Sequence, residues 1–158
     1  MDLNLAKTIH SIFKKKGLSL SVAESCTGGL ICHYLTAVPG ASSFLQAGVV
    51  VYSAESKTNI LGIPRKIFSA HGMVSEETAR LMAKKVRTLT KTDVAVSTTG
   101  NLGPGVLEDK PKGLVFVAVS SKKGTVTRKL QLKGTRGRAK EKAVLSALGF
   151  LAEVVSNG

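Results

Sequence analysis

The sequence has no tryptophan, and aromatic residues make up only 4% of it. Platforms for single-stranded nucleic acid stack bases on aromatic side chains, so this composition argues against one. Cysteine is scarce as well: Cys26 and Cys32 are the two present. They sit close together in one turn-plus-helix segment, suit neither a bridge nor a metal pair, and read as reduced thiols. No metal site is expected. No apolar run approaches the roughly 18 residues needed to cross a bilayer. At the N-terminus the basic residues follow the apolar ones, the reverse of a secretory signal. These absences lead to the expectation of a cytoplasmic protein with no membrane partner.

Acidic residues are the other shortage. There are 10 against 23 Lys and Arg, a net charge of +13. Such an excess points to an anionic partner: nucleic acid, anionic lipid or a phosphorylated small molecule. The basic residues crowd one stretch, Lys122, Lys123, Arg128, Lys129, Lys133, Arg136, Arg138, Lys140 and Lys142, opposed there only by Glu141. A solvated basic face explains the same pattern.

What is present is a globular composition, 43% hydrophobic in 158 residues. That length suits one domain, expected over 1–158. Leu3, Ala6, Ile9, Ile12 and Phe13 recur at helical spacing, with Gly17 as a stop. The pattern then predicts a strand over 18–24, a helix over 27–38 ended by Pro39-Gly40, and a strand over 46–53. Short helices follow over 54–62 and 64–72. Ser75 caps a helix over 76–91, whose acidic residues come first and basic ones last. A strand over 92–99 enters a Gly-rich loop. Strands 114–121 and 125–132 form a hairpin, and a helix over 137–155 closes the chain. Helices alternating with strands, plus a late hairpin, predict an α/β fold: a three-layer α/β/α sandwich with a mixed central sheet. Ligands in such sheets bind at the carboxyl ends of strands. Three segments leave strands there, Glu24–Gly29, Tyr52–Lys57 and Thr98–Gly105, and they meet if their strands are parallel neighbours.

The first of these, "ESCTGG", runs from a strand into a helix. Free amides at a helix start favour an anion or a developing negative charge, and Gly28 and Gly29 allow close backbone approach. A helix capped by Ser25 or Thr27 is the plain alternative. A serine nucleophile needs a base. His10, His33 and His71 are poorly placed for that role. Lysine can serve once burial lowers its pKa, and Lys57 follows a buried strand, about one helical turn past Ser53. A surface lysine with a packed stem fits that position too. In the third loop, "TTGNLGPG" can offer amides to a phosphate or carbonyl oxygen, or can simply connect two strands.

Taken in order, "AESCTGG", "VVVYSAESK", "GMVSEETA" and "TTGNLGPG…KPKGLVFVAV" resemble the C-terminal domain of the CinA competence/damage-inducible proteins. The likeness covers about residues 5 to 153. The resemblance implies nicotinamide-nucleotide amidase activity, with nicotinamide mononucleotide deamidated to nicotinate mononucleotide and ammonia. It implies Ser25 as nucleophile, Lys57 as base and Tyr52 beside them. Cys26, Thr27, Gly28, Gly29, Thr99, Gly100, Gly103, Arg136 and Lys140 are the implied substrate-binding positions. It implies no organic cofactor, a homodimer, and a stand-alone domain, since longer family members carry an additional N-terminal one. The sequence departs from the family pattern at Thr99, at Leu102, at "GVLEDK" in the third loop, and at Lys140 where an arginine is usual. A non-catalytic relative binding a nucleotide or nucleic acid through residues 122–142 is the alternative reading.

Overall fold

The computed structural model describes residues 2–158. Helix α1 (Asn4–Lys16) buries Ala6, Ile9 and Phe13 and stops where Gly17 takes a left-handed conformation. Strand β1 (Leu20–Glu24) is buried along its whole length. Helix α2 (Leu30–Thr36), a short 3₁₀ turn (Ala41–Ser43) and strand β2 (Leu45–Val50) follow. Then come α3 (Ala54–Leu61), α4 (Arg65–His71), α5 (Glu76–Thr90), β3 (Val94–Gly100), β4 (Leu114–Ser121), β5 (Gly124–Gln131) and α6 (Arg136–Ser156).

The five strands form one sheet in the order β2-β1-β3-β4-β5. Strand β1 runs parallel to β2 and β3, whereas β3–β4 and β4–β5 are antiparallel, so the sheet is mixed as expected. Alternation along the strands sorts residues between two cores. Leu20, Val22, Val94 and Val96 face Ile9, Phe13, Tyr34, Leu148 and Leu151 of α1, α2 and α6. Ala23 and Ala95 face Met82 and Val86 of α5 on the other side. The small residues beneath α5 let it approach closely, and the Ser97 hydroxyl donates to the Ala79 carbonyl at 2.6 Å.

Several sequence expectations needed correction, among them the strand expected over 46–53, which ends at Val50. Helix α2 starts at Leu30, not at 27, because residues 26–29 form a turn with Gly29 in a left-handed conformation (φ 95°) at its cap. The 3₁₀ turn at Ala41–Ser43 had no counterpart in the sequence reading. His71 ends α4, within the helix expected over 64–72.

The connection from β1 to β2 runs through α2 on one face, and that from β2 to β3 through α3–α5 on the other. A crevice therefore opens outside the carboxyl ends of β1 and its neighbours, where the chain reverses its direction of travel across the sheet.

Candidate active site

Ser25 follows the last residue of β1, and its amide donates to the Thr98 carbonyl of β3 at 3.0 Å. Lys57 lies in the second turn of α3. Ser53 and Ser56 start that helix with a capping box, which fixes the helix against the end of β2. From there the Lys57 side chain runs inward and is fully buried. Its Nζ lies 2.9 Å from Ser25 Oγ, 2.7 Å from the Val51 carbonyl and 3.3 Å from the Tyr52 carbonyl.

These three neighbours match both states of the amine. An ammonium donates to all three. A neutral amine has two hydrogens for the two carbonyls, and its lone pair is left facing Ser25, whose hydroxyl then becomes the donor. Burial lowers the Lys57 pKa to about 8, against a drawback from the Glu108 carboxylate, so a useful fraction is neutral near physiological pH. The Cys26 thiol is pushed the other way, to about 12, chiefly by burial, and stays protonated. A thiolate nucleophile at this position is thereby disfavoured.

The two groups open into a cleft of about 290 Å³. Of the residues singled out from sequence, Ser25, Cys26, Tyr52, Lys57, Thr99, Gly100 and Arg136 line it. Arg136, the first residue of α6, donates from Nη2 to the Tyr52 hydroxyl at 2.9 Å and from Nη1 to the Gly103 carbonyl. The Tyr52 phenol thus bonds to Arg136, and only its carbonyl touches Lys57. The Thr99 hydroxyl donates to the Met73 carbonyl at 2.7 Å.

Thr27, Gly28, Gly29, Gly103 and Lys140 do not border the cleft. The buried Thr27 hydroxyl pairs with that of Thr98 at 2.7 Å. Lys140 lies over Gly28, its Nζ 3.2 Å from where a Cβ on that glycine would be. Gly103 serves through its carbonyl on Arg136.

The helix start also differs from expectation. Neither Ser25 nor Thr27 caps α2. The fully buried Glu24 carboxylate accepts the amides of Gly29 (3.0 Å), Ile31 (3.1 Å) and Cys32 (3.0 Å). The Gly28 amide is taken by the Ser25 carbonyl at 3.1 Å. Gly28 and Gly29 therefore cannot receive an oxyanion, and the amides of Cys26 and Thr27 are the ones left in that turn. Sequence reasoning missed Glu24 in this role. The available signal was an acidic residue just ahead of a helix start, where the helix dipole favours it. Met73, Val74, Asn101, Leu102 and Leu107 also line the cleft; they lie in segments noted from sequence but were not singled out as binding positions.

A larger open groove, about 440 Å³, lies at the opposite end of the parallel strands beside Lys7, His10, Lys14 and Ser43. It contains no paired nucleophile and base. Among the described residues no cluster of His, Cys, Asp and Glu could hold a metal ion. Among the described residues no helix is long and apolar enough to cross a membrane.

The fold and the cleft define a class: a three-layer α/β/α domain with a serine–lysine pair at the carboxyl ends of its parallel strands. The chain belongs to the CinA C-terminal domain family, whose model matches residues 2–155. A CinA-like protein of Syntrophus aciditrophicus is 43% identical over 159 residues, covering 99% of this chain but 38% of that relative. The chain thus spans less than two fifths of the length of the curated relatives it matches. The crystal structure of competence damage-inducible protein A from Klebsiella pneumoniae superposes with a TM-score of 0.95 at 31% identity, covering 98% of this chain and 96% of that one. The competence/damage inducible protein CihA of Agrobacterium tumefaciens gives a TM-score of 0.92 at 33% identity, covering 98% and 94%.

Proposed function

We propose that the chain, as a single domain over 1–158, is an amidohydrolase that deamidates nicotinamide mononucleotide, acting through Ser25 and Lys57. The observation that carries this reading is the 2.9 Å contact between Ser25 Oγ and a fully buried Lys57 amine that opens into a cleft. Ser25 Oγ attacks the carboxamide carbon while neutral Lys57 takes its proton. The tetrahedral oxyanion is received by the Cys26 and Thr27 amides. Lys57 then hands the proton to the departing nitrogen, which leaves as ammonia, and water hydrolyses the acyl-enzyme by the same route in reverse. Arg136 at the cleft rim supplies positive charge for the nucleotide phosphate. No organic cofactor or metal is needed for these steps.

The reading is tested by ammonia release from nicotinamide mononucleotide. Ser25→Ala should lower kcat on the order of 10³-fold or more. Equal rates in variant and parent would remove Ser25 from the mechanism. The nucleic-acid alternative draws less support from the arrangement of the basic stretch. Arg128 is engaged by Glu153 at 2.9 Å and stacks over the Phe150 ring, and Arg136 turns into the cleft.

A further inference from the structure

The Gly105–Lys110 part of the third loop is fixed at both ends. The Asn101 side-chain amide donates to the carbonyls of Gly105 (3.1 Å) and Lys110 (3.2 Å), while its oxygen accepts the Gly103 amide at 3.0 Å. The loop is then anchored to the α4–α5 connection by charges of both signs. The Glu108 carboxylate accepts the amides of Met73 (2.7 Å) and Val74 (3.1 Å). The Lys110 ammonium donates to the His71 carbonyl at 2.7 Å and to the Val74 carbonyl. Gly72 makes room for this: a Cβ there would sit 2.4 Å from Glu108 Oε2 and 2.9 Å from Lys110 Nζ. An anion on amides and a cation on carbonyls, sharing one short segment, hold the loop more firmly than neutral bonds would.

The anchored segment delivers one side chain to the cleft, Leu107, while Val106 beside it is 70% exposed and points elsewhere. Leu107 is 41% exposed and shares the lining with Leu102, Met73 and Val74, the apolar part of an otherwise polar cleft. Apolar surface of this kind gains by contact with an apolar ligand face. A sugar or a phosphate offers none, whereas the face of a heteroaromatic ring does.

We propose that Leu107, held by the Glu108–Lys110 anchor, is a specificity-determining residue that selects ligands with a flat heteroaromatic ring beside the carboxamide. The inference rests on the amidase reading for the reacting carboxamide and extends it to the group that carries it. The loop that does this is the "GVLEDK" segment, where the chain departs from the family pattern.

The test uses the Ser25→Ala protein, so that ligand is bound and not consumed. Calorimetric titration compares nicotinamide mononucleotide with ribose 5-phosphate, which shares the sugar and phosphate and lacks the ring. The parent should prefer the nucleotide. Adding Leu107→Ala should shrink that preference about tenfold and leave the ribose 5-phosphate affinity unchanged. Adding Glu108→Ala should shrink it similarly and speed hydrogen exchange at the Met73 and Val74 amides at least about tenfold. Should that variant fail to fold, Lys110→Met reads the anchor from its other half by the same exchange and binding measurements. No preference in the parent, a preference untouched by Leu107→Ala, or unaltered amide exchange once the anchor is removed would each overturn the proposal. A ring preference in a wild type that releases no ammonia would refute the amidase reading and leave the Leu107 wall standing.

Discussion

Lys57 is the residue on which chemistry and stability pull in opposite directions. Its folded-state pKa is about 8, against 10.5 for a free lysine. Between those values the unfolded chain binds the proton and the folded chain does not, so stability rises with pH through that window. Below about pH 8 the folded state bears the full cost of a buried ammonium. The wild type should therefore gain about 2 kcal/mol in urea unfolding between about pH 7.5 and pH 10, relative to Lys57→Met. Parallel pH dependences in the two proteins would show that the amine is not desolvated. On the proposed mechanism the same titration sets activity. With neutral lysine as the base, kcat/KM for nicotinamide mononucleotide should climb roughly tenfold per pH unit on the acid side and level off near pH 8. A limb that levels off near pH 6.5 would point to a histidine instead. Arg136 belongs at this scale too. Arg136→Ala should raise KM about tenfold or more for the phosphorylated substrate and change kcat little, and Arg136→Lys should recover only part. Equal KM values in Arg136→Ala and wild type would remove the guanidinium from phosphate binding.

At the scale of elements, the start of α2 shows what the sequence could and could not reveal. Apolar periodicity, Gly17 and Ser75 marked helix boundaries correctly, because those signals act within a turn of where they sit. The parallel strand ends also brought the three polar turns together, as βα alternation requires. The N-terminus of α2 was misread because its amides bond to a carboxylate from the preceding strand, five to eight residues back, and not to a local cap. The anchor of Glu108 on Met73 and Val74 was invisible for a stronger reason: its partners lie 34 to 35 residues apart. That Ser25 and Lys57 come together, by contrast, follows from strand order: one lies just past β1 and the other in the helix after its parallel neighbour β2. The Glu24 arrangement has a measurable consequence. Glu24→Ala leaves the Gly29, Ile31 and Cys32 amides without an acceptor and should cost about 3 kcal/mol or more in urea unfolding. Glu24→Gln keeps one acceptor oxygen and should cost clearly less. Equal losses in the two would mean that charge alone matters there, and no loss in either would mean that α2 is held by packing.

For the whole molecule the governing fact is uncompensated positive charge. Of the 10 acidic residues Glu24 is fully buried, and the others are too few to balance the basic ones. Glu24 and Glu108 bind backbone amides, Asp93 accepts from Ser19, and Glu141 accepts from the Tyr34 hydroxyl. Residues 25–54, which include Ser25 and the edge strand β2, contain no Asp, Glu, Lys or Arg at all. Apart from the buried Lys57, the basic side chains therefore fall on the rest of the molecule and repel one another there. Salt screens that repulsion over a Debye length that shrinks from roughly 30 Å at 0.01 M to about 10 Å at 0.1 M. On the proposed function it also screens the attraction of an anionic substrate to the Arg136 rim. The two effects have opposite signs in one titration. Raising sodium chloride from about 0.01 to 0.5 M should raise the thermal unfolding midpoint by a few degrees and lower kcat/KM for nicotinamide mononucleotide severalfold, through KM. A midpoint that falls with salt would show that the surface ion pairs, Arg80–Glu76 and Arg128–Glu153 among them, outweigh the repulsion. A kcat/KM indifferent to salt would mean that the basic surface does not serve the substrate, and its purpose would then have to be sought in another anion.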